Sequence, residues 1–123
     1  MEVVPHEPLN LRRGALTTQT QLEVEWDDYT NQAARGGLTA TIISYRIEWD
    51  SGLDGDASWT VLAGIISHHT NLEYLHDVSG TVSSGIRYRF RIAARNKYGW
   101  GDYSDVVSVL AAVVPDAPTP VVT

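Results

Sequence analysis

The chain has 123 residues, no cysteine and a formal net charge of -6. That length fits one domain, and a chain of this size buries roughly two-thirds of its unfolded surface, enough for a self-sufficient core. The missing cysteines exclude disulfides, thiolate metal sites and a cysteine nucleophile, and the acidic balance lacks the dense basic footprint that nucleic acid requires.

All five prolines lie towards the ends: Pro5 and Pro8, then Pro115, Pro118 and Pro120. Proline-rich ends read as extended connectors. The proline-free body lets every internal strand donate its full ladder of N–H groups. Residues 1–4 therefore read as a lead-in, 5–114 as the domain, and 115–123 as a Pro-rich linker or the start of a following repeat. Val4-Pro5-x-x-Pro8 recurs as Val114-Pro115-x-x-Pro118, a pattern that suits tandem copies. Two unrelated proline-rich ends would look the same. The first residues show no basic region followed by an apolar core, so no signal peptide is read there.

Between the ends the hydrophobic period is two. Leu22, Val24 and Trp26 share one face of a strand, with Gln21, Glu23 and Glu25 opposite. Tyr45, Ile47 and Trp49 follow in residues 43–49. The cleanest alternation is 86–95, with Tyr88, Phe90, Ile92 and Ala94 on one side and Arg87, Arg89 and Arg91 on the other. Further strands are expected near Pro8–Arg13, Trp59–Leu62 (placing Leu62 in the core), Thr70–Leu75 and Val106–Ala111. Glycine-bearing turns separate them. About seven short strands and no amphipathic helix imply an all-β fold, an antiparallel two-sheet sandwich. The longest nearly apolar stretch, Val106–Val114, is far shorter than the about 20 residues of a membrane helix, so no membrane insertion is expected.

Trp26, the Tyr45-x-Ile47-x-Trp49 run, Trp59, and Val82-Ser83-Ser84-Gly85-Ile86-Arg87-Tyr88 leading into Arg89–Asn96, then Tyr98-Gly99 and Ser104, resemble the fibronectin type III domain over nearly the whole chain. The resemblance implies a seven-strand immunoglobulin-like sandwich. Val82 and Ser84 stand where that family usually has leucine and proline. The wording of 42–50 and 59–62 is also similar to repeats of large multi-domain surface proteins of ciliated protists. Trp26 has the bulk to fill the roughly 10 Å between two sheets. Tyr88 suits a tyrosine corner, its ring inside and its hydroxyl on the preceding turn.

Enzyme motifs are missing: no Gly-x-Ser-x-Gly, His-Glu-x-x-His, phosphate loop or Gly-x-Gly-x-x-Gly. His68-His69 would point to opposite faces of a strand and reads as solvated loop. Asp50, Asp54 and Asp56 lack calcium-loop spacing and read as a polar hairpin turn. Arg87, Arg89 and Arg91 form a candidate basic face, either free for an acidic partner or paired across strands. The resemblance implies that their strand lies beside Arg46 and Glu48. Tyr98, Trp100 and Tyr103 form a candidate interaction loop, since such rings bring large area at small entropy cost. By resemblance, that loop shares a pole with Asp27–Thr41 and Gly64–Thr70. The same rings could instead seal the core or face a neighbouring repeat.

The function expected is a non-catalytic spacer and protein-interaction module of a tandem protein. It needs no metal or other cofactor. It is a monomer by itself, and its partners are neighbouring repeats of the same chain. The alternative is a carbohydrate- or ligand-binding accessory module using residues 96–103. The resemblance implies an extracellular or cell-surface setting, with ciliary and cytoplasmic relatives known.

Overall fold

The computed structural model describes residues 3–52 and 59–112. Asp54, Asp56, the lead-in at 1–2 and the segment from 113 onward, with its second Val-Pro-x-x-Pro pattern, lie outside the described residues. Among the described residues there are eight strands: β1 (Arg12–Arg13), β2 (Leu22–Glu25), β3 (Ser44–Trp49), β4 (Thr60–Ala63), β5 (Glu73–His76), β6 (Arg87–Asn96), β7 (Gly99–Trp100) and β8 (Val107–Leu110). One sheet has the order β1-β2-β5. The other runs β4-β3-β6, with β7 and β8 both pairing to β6. All pairings are antiparallel, as the sandwich reading expects.

β7 and β8 are two halves of one course along β6. The stretch between them keeps touching β6, because Gly101 N–H donates to the Ala94 carbonyl and Ser104 N–H to that of Ile92. Ser104 Oγ then accepts the Ile92 N–H at 3.0 Å. Counted this way, the sandwich has seven courses and the last is interrupted.

The alternation written in the sequence becomes the core. Leu22, Val24 and Trp26 from one layer meet Tyr45, Ile47, Trp49, Tyr88, Phe90, Ile92 and Ala94 from the other, all buried. Leu62 is only partly buried and packs against this cluster from the β4 edge. Trp26 meets Tyr45 edge-on at 5.3 Å between centroids, and Trp49 stacks on Tyr88 at 5.1 Å. Both geometries suit aromatic pairs. Tyr88 hydroxyl accepts the Ser83 N–H at 2.7 Å, which ties the 77–86 turn down to β6.

The N-terminal prolines are not a free connector, and that expectation is corrected. Pro5 and Pro8 are buried. Val3 N–H donates to the Gly36 carbonyl and His6 N–H to that of Ala34. Tyr29 hydroxyl donates to the His6 carbonyl at 2.5 Å. A Cβ at Gly101 would overlap the Pro5 carbonyl, so only glycine lets the strap lie this close.

Tyr88→Phe removes the acceptor for Ser83 N–H while keeping the ring. It should lower the unfolding free energy by about 1 kcal/mol, read as a lower urea midpoint with an unchanged slope.

Candidate functional site

Cross-strand register decides what the arginine stripe does. β3 and β6 pair with Glu48 opposite Arg91 and Arg46 opposite Ala93, so the outer face of both strands carries charge. Glu48 is nearly fully buried. It accepts from Arg91 Nε at 2.9 Å and forms an ion pair with Arg46 Nε at 2.6 Å. One strand step away, Asp50 is 0% exposed. Its Oδ1 accepts the N–H of Arg89 at 3.0 Å, and its Oδ2 accepts from Arg89 Nε at 3.0 Å. Gly52 N–H donates to Asp50 as well. Asp50 is thus a buried carboxylate at the strand end where the polar hairpin turn begins. A buried carboxylate without such partners would cost several kcal/mol.

Aromatic rings complete the face. Arg91 lies 4.0 Å from the Tyr103 centroid and 4.4 Å from that of Trp59, with Arg89 5.3 Å from Trp59 and Arg46 5.9 Å from Tyr103. Tyr103 hydroxyl donates to Glu48 Oε2 at 2.9 Å. Burial first, and then Glu48, push the Tyr103 hydroxyl above its usual range. Sequence pattern alone puts Tyr103 with the loop aromatics, whereas the structure puts it over the arginines. Arg89 and Arg91 are therefore neutralised and covered, and Arg87 at the start of β6 remains exposed.

The candidate loop is divided accordingly. Tyr98 is exposed beside Lys97, whose Nζ lies 5.3 Å from its ring centroid. Trp100 is half-buried in β7, paired opposite Arg95. This loop does meet the 27–41 segment: Asn96 Nδ2 donates to the Arg35 carbonyl at 2.9 Å and Lys97 Nζ to Thr39 Oγ1 at 3.3 Å. His69 instead faces the core tryptophan, with 6.0 Å between its ring and that of Trp26. Among the described residues no group of three or more His, Asp or Glu could hold a metal, and no helix is long and apolar enough to cross a membrane.

No protein-family model and no curated protein matches the sequence. Solved structures do match it. The fourth FNIII domain of a human protein is similar at TM-score 0.71 and 21% identity, covering 98% of this chain and 89% of that one. The chain has the fibronectin type III fold. The sixth fibronectin type III domain of human fibronectin type III domain containing protein 3 is similar at 0.66 and 18%, over 98% and 97%. A crystal structure of consecutive titin domains gives 0.65 and 19%, over 89% of this chain and 32% of that one. The present chain thus matches about a third of that fragment.

His76 is a site that sequence reasoning missed. It is buried against Trp49, 4.4 Å between ring centroids. Nε2 is 2.8 Å from Thr81 Oγ1. Burial lowers its pKa, with Asp77 opposing. The folded state therefore binds a proton less readily than the unfolded chain. The stability this gives is present above the unfolded pKa of about 6.5 and is lost as pH falls through the lowered folded value. Unfolding between pH 7 and pH 5 should show the wild type losing stability more steeply than His76→Gln. Glu48→Ala leaves two largely covered guanidiniums without their carboxylate and should cost about 2 kcal/mol in urea unfolding, discounted from a fully buried pair because both arginines keep some water.

Proposed function

We propose that the chain is a non-catalytic spacer and protein-interaction module within a tandem multi-domain protein. One observation carries the reading. Asn96, the last residue of β6, donates to the Val3 carbonyl at 2.7 Å, while Ala111 N–H donates to the carbonyl of Ile86, just before β6 begins. The chain therefore comes in at one end of β6 and leaves at the other. From Ile86 to Asn96 an extended chain covers about 33 Å at roughly 3.3 Å per residue. Copies joined through such ends string out rather than fold back.

Both ends are held to the body. The strap at 3–8, hydrogen-bonded through Val3 and His6 and with Pro5 and Pro8 buried, fixes the first. At the second, Arg13 donates to the Leu110 carbonyl at 2.9 Å and also to that of Ala112. Packing, rather than linker stiffness alone, then sets the angle between neighbours. The consecutive domains in the titin fragment, about a third of which is similar to this chain, are one such array. The first partner is accordingly the neighbouring repeat of the same chain, and an extracellular or cell-surface setting goes with that role. A ligand site on the 96–103 loop has less support, because Tyr103 has turned to Glu48.

Small-angle scattering of a protein carrying two copies in tandem tests this. The maximum dimension should grow by about 30 Å or more over the single copy; a folded-back pair of nearly unchanged length would contradict the reading.

A further inference from the structure

The two ends of the chain share more than prolines. Val3-Val4-Pro5-His6-Glu7-Pro8 returns as Val113-Val114-Pro115-Asp116-Ala117-Pro118. The strap shows which of these six positions matter. Pro5 and Pro8 are buried, and both return in the second segment. His6 and Glu7 are exposed, and neither returns. The strap also donates through the Val3 and His6 N–H groups, at 2.7 and 2.9 Å. The second segment has Val113 and Asp116 at those positions, and each carries the same donor. What the segments have in common is what the body holds.

The seat of the strap is a crevice between the loop at 34–36 and the one at 99–101. It is walled largely by backbone. A Cβ at Gly36 would overlap the Val3 carbonyl, and one at Gly101 would overlap that of Pro5. Val4 Cγ1 lies over Gly99. Asn96, fully buried, donates from Nδ2 to the Val3 carbonyl at 2.7 Å. Tyr29 hydroxyl donates to the His6 carbonyl. Such a seat reads an extended backbone with prolines at two positions, and it ignores the side chains between them.

The second segment cannot serve its own body. Ala112 is held at the far end of β6, where Arg13 donates to its carbonyl. Val113 follows one step of about 3.8 Å later. The seat of Val3 lies the length of β6 away, roughly 33 Å.

We propose that residues 113–118 form a second strap, and that they seat in the corresponding crevice of a following unit of this fold. The occupant of each crevice is then either the chain's own first residues or this named segment of the preceding copy. Consecutive units share one clamped segment in place of a free linker. Ala112 is fixed to the first body through Arg13, and Val113 to the second through that unit's Gly36 and Asn96. The inference rests on the tandem reading and adds where, and by which residues, neighbours meet.

Two measurements test it. In the full 123-residue chain, His6→Asp together with Glu7→Ala gives the strap the sequence of the second segment. Its urea midpoint should match that of the wild type, whereas Pro5→Ser with Pro8→Ser should lower it. A lowered midpoint in the first variant, or an unchanged one in the second, would overturn the proposal. In a longer protein, residues 1–118 run straight into residues 9–123, so that 113–118 replace 3–8 of the second unit. Nuclear Overhauser contacts should join Pro115 to Gly101, and Val114 to Gly99, of that second unit. Their absence would overturn the proposal, whether the second unit folds without the strap or fails to fold. Small-angle scattering of the same protein keeps the two readings apart. Missing contacts in an extended pair sink the strap alone, and contacts present in a folded-back pair sink the spacer alone.

Discussion

The constraint on which the structure depends is the two-sidedness of β6. Over ten residues it sends Tyr88, Phe90, Ile92 and Ala94 into the core and Arg87, Arg89 and Arg91 outward. A slip of one residue would exchange the faces, putting guanidiniums between the sheets. The register is therefore held from both sides, by apolar burial within and by specific carboxylates without. β3, β7 and β8 all pair with this strand. Its two ends also locate where the chain arrives and departs. Core, outer face and overall direction are consequences of one alternation.

The outer face shows how the chain manages its own charge. Glu48 and Asp50 sit almost without solvent beneath the arginines, and Trp59 and Tyr103 cover them. Cations stacked on aromatic rings gain roughly 0.5–1 kcal/mol where water still reaches them and more where it does not. The face is thereby charge-paired and covered, a poor template for aggregation and a poor recruiting surface. At the neighbouring β4, by contrast, Val61 keeps an apolar side chain partly in water.

Much of this was legible in the sequence. Strands of period two, the interior tryptophan and the glycine turns follow from local chemistry, so the sandwich could be read before any coordinates. What escaped was long-range pairing. Asp50 lies 39 positions from Arg89, and Glu48 lies 43 from Arg91 and 55 from Tyr103. No local pattern states such a register, so Asp50 looked like turn and Tyr103 like loop. The strap at 3–8 was misread for a related reason. Proline fixes an extended backbone but is silent on whether that backbone packs. The available signals were remote glycines, Gly36 and Gly101, which leave room for the Val3 and Pro5 carbonyls. His76 likewise gave no cue, because a single histidine in a strand carries no mark of burial.

The most direct measurement uses the absence of native cysteine. Spin labels at Val4→Cys and Ala112→Cys, placed beside the two ends of β6, report their separation by pulsed dipolar spectroscopy without background sites. One narrow distribution near 30 Å is expected if β6 runs extended between the incoming and outgoing chain. A distribution centred below about 20 Å would put both ends at one pole and contradict the account.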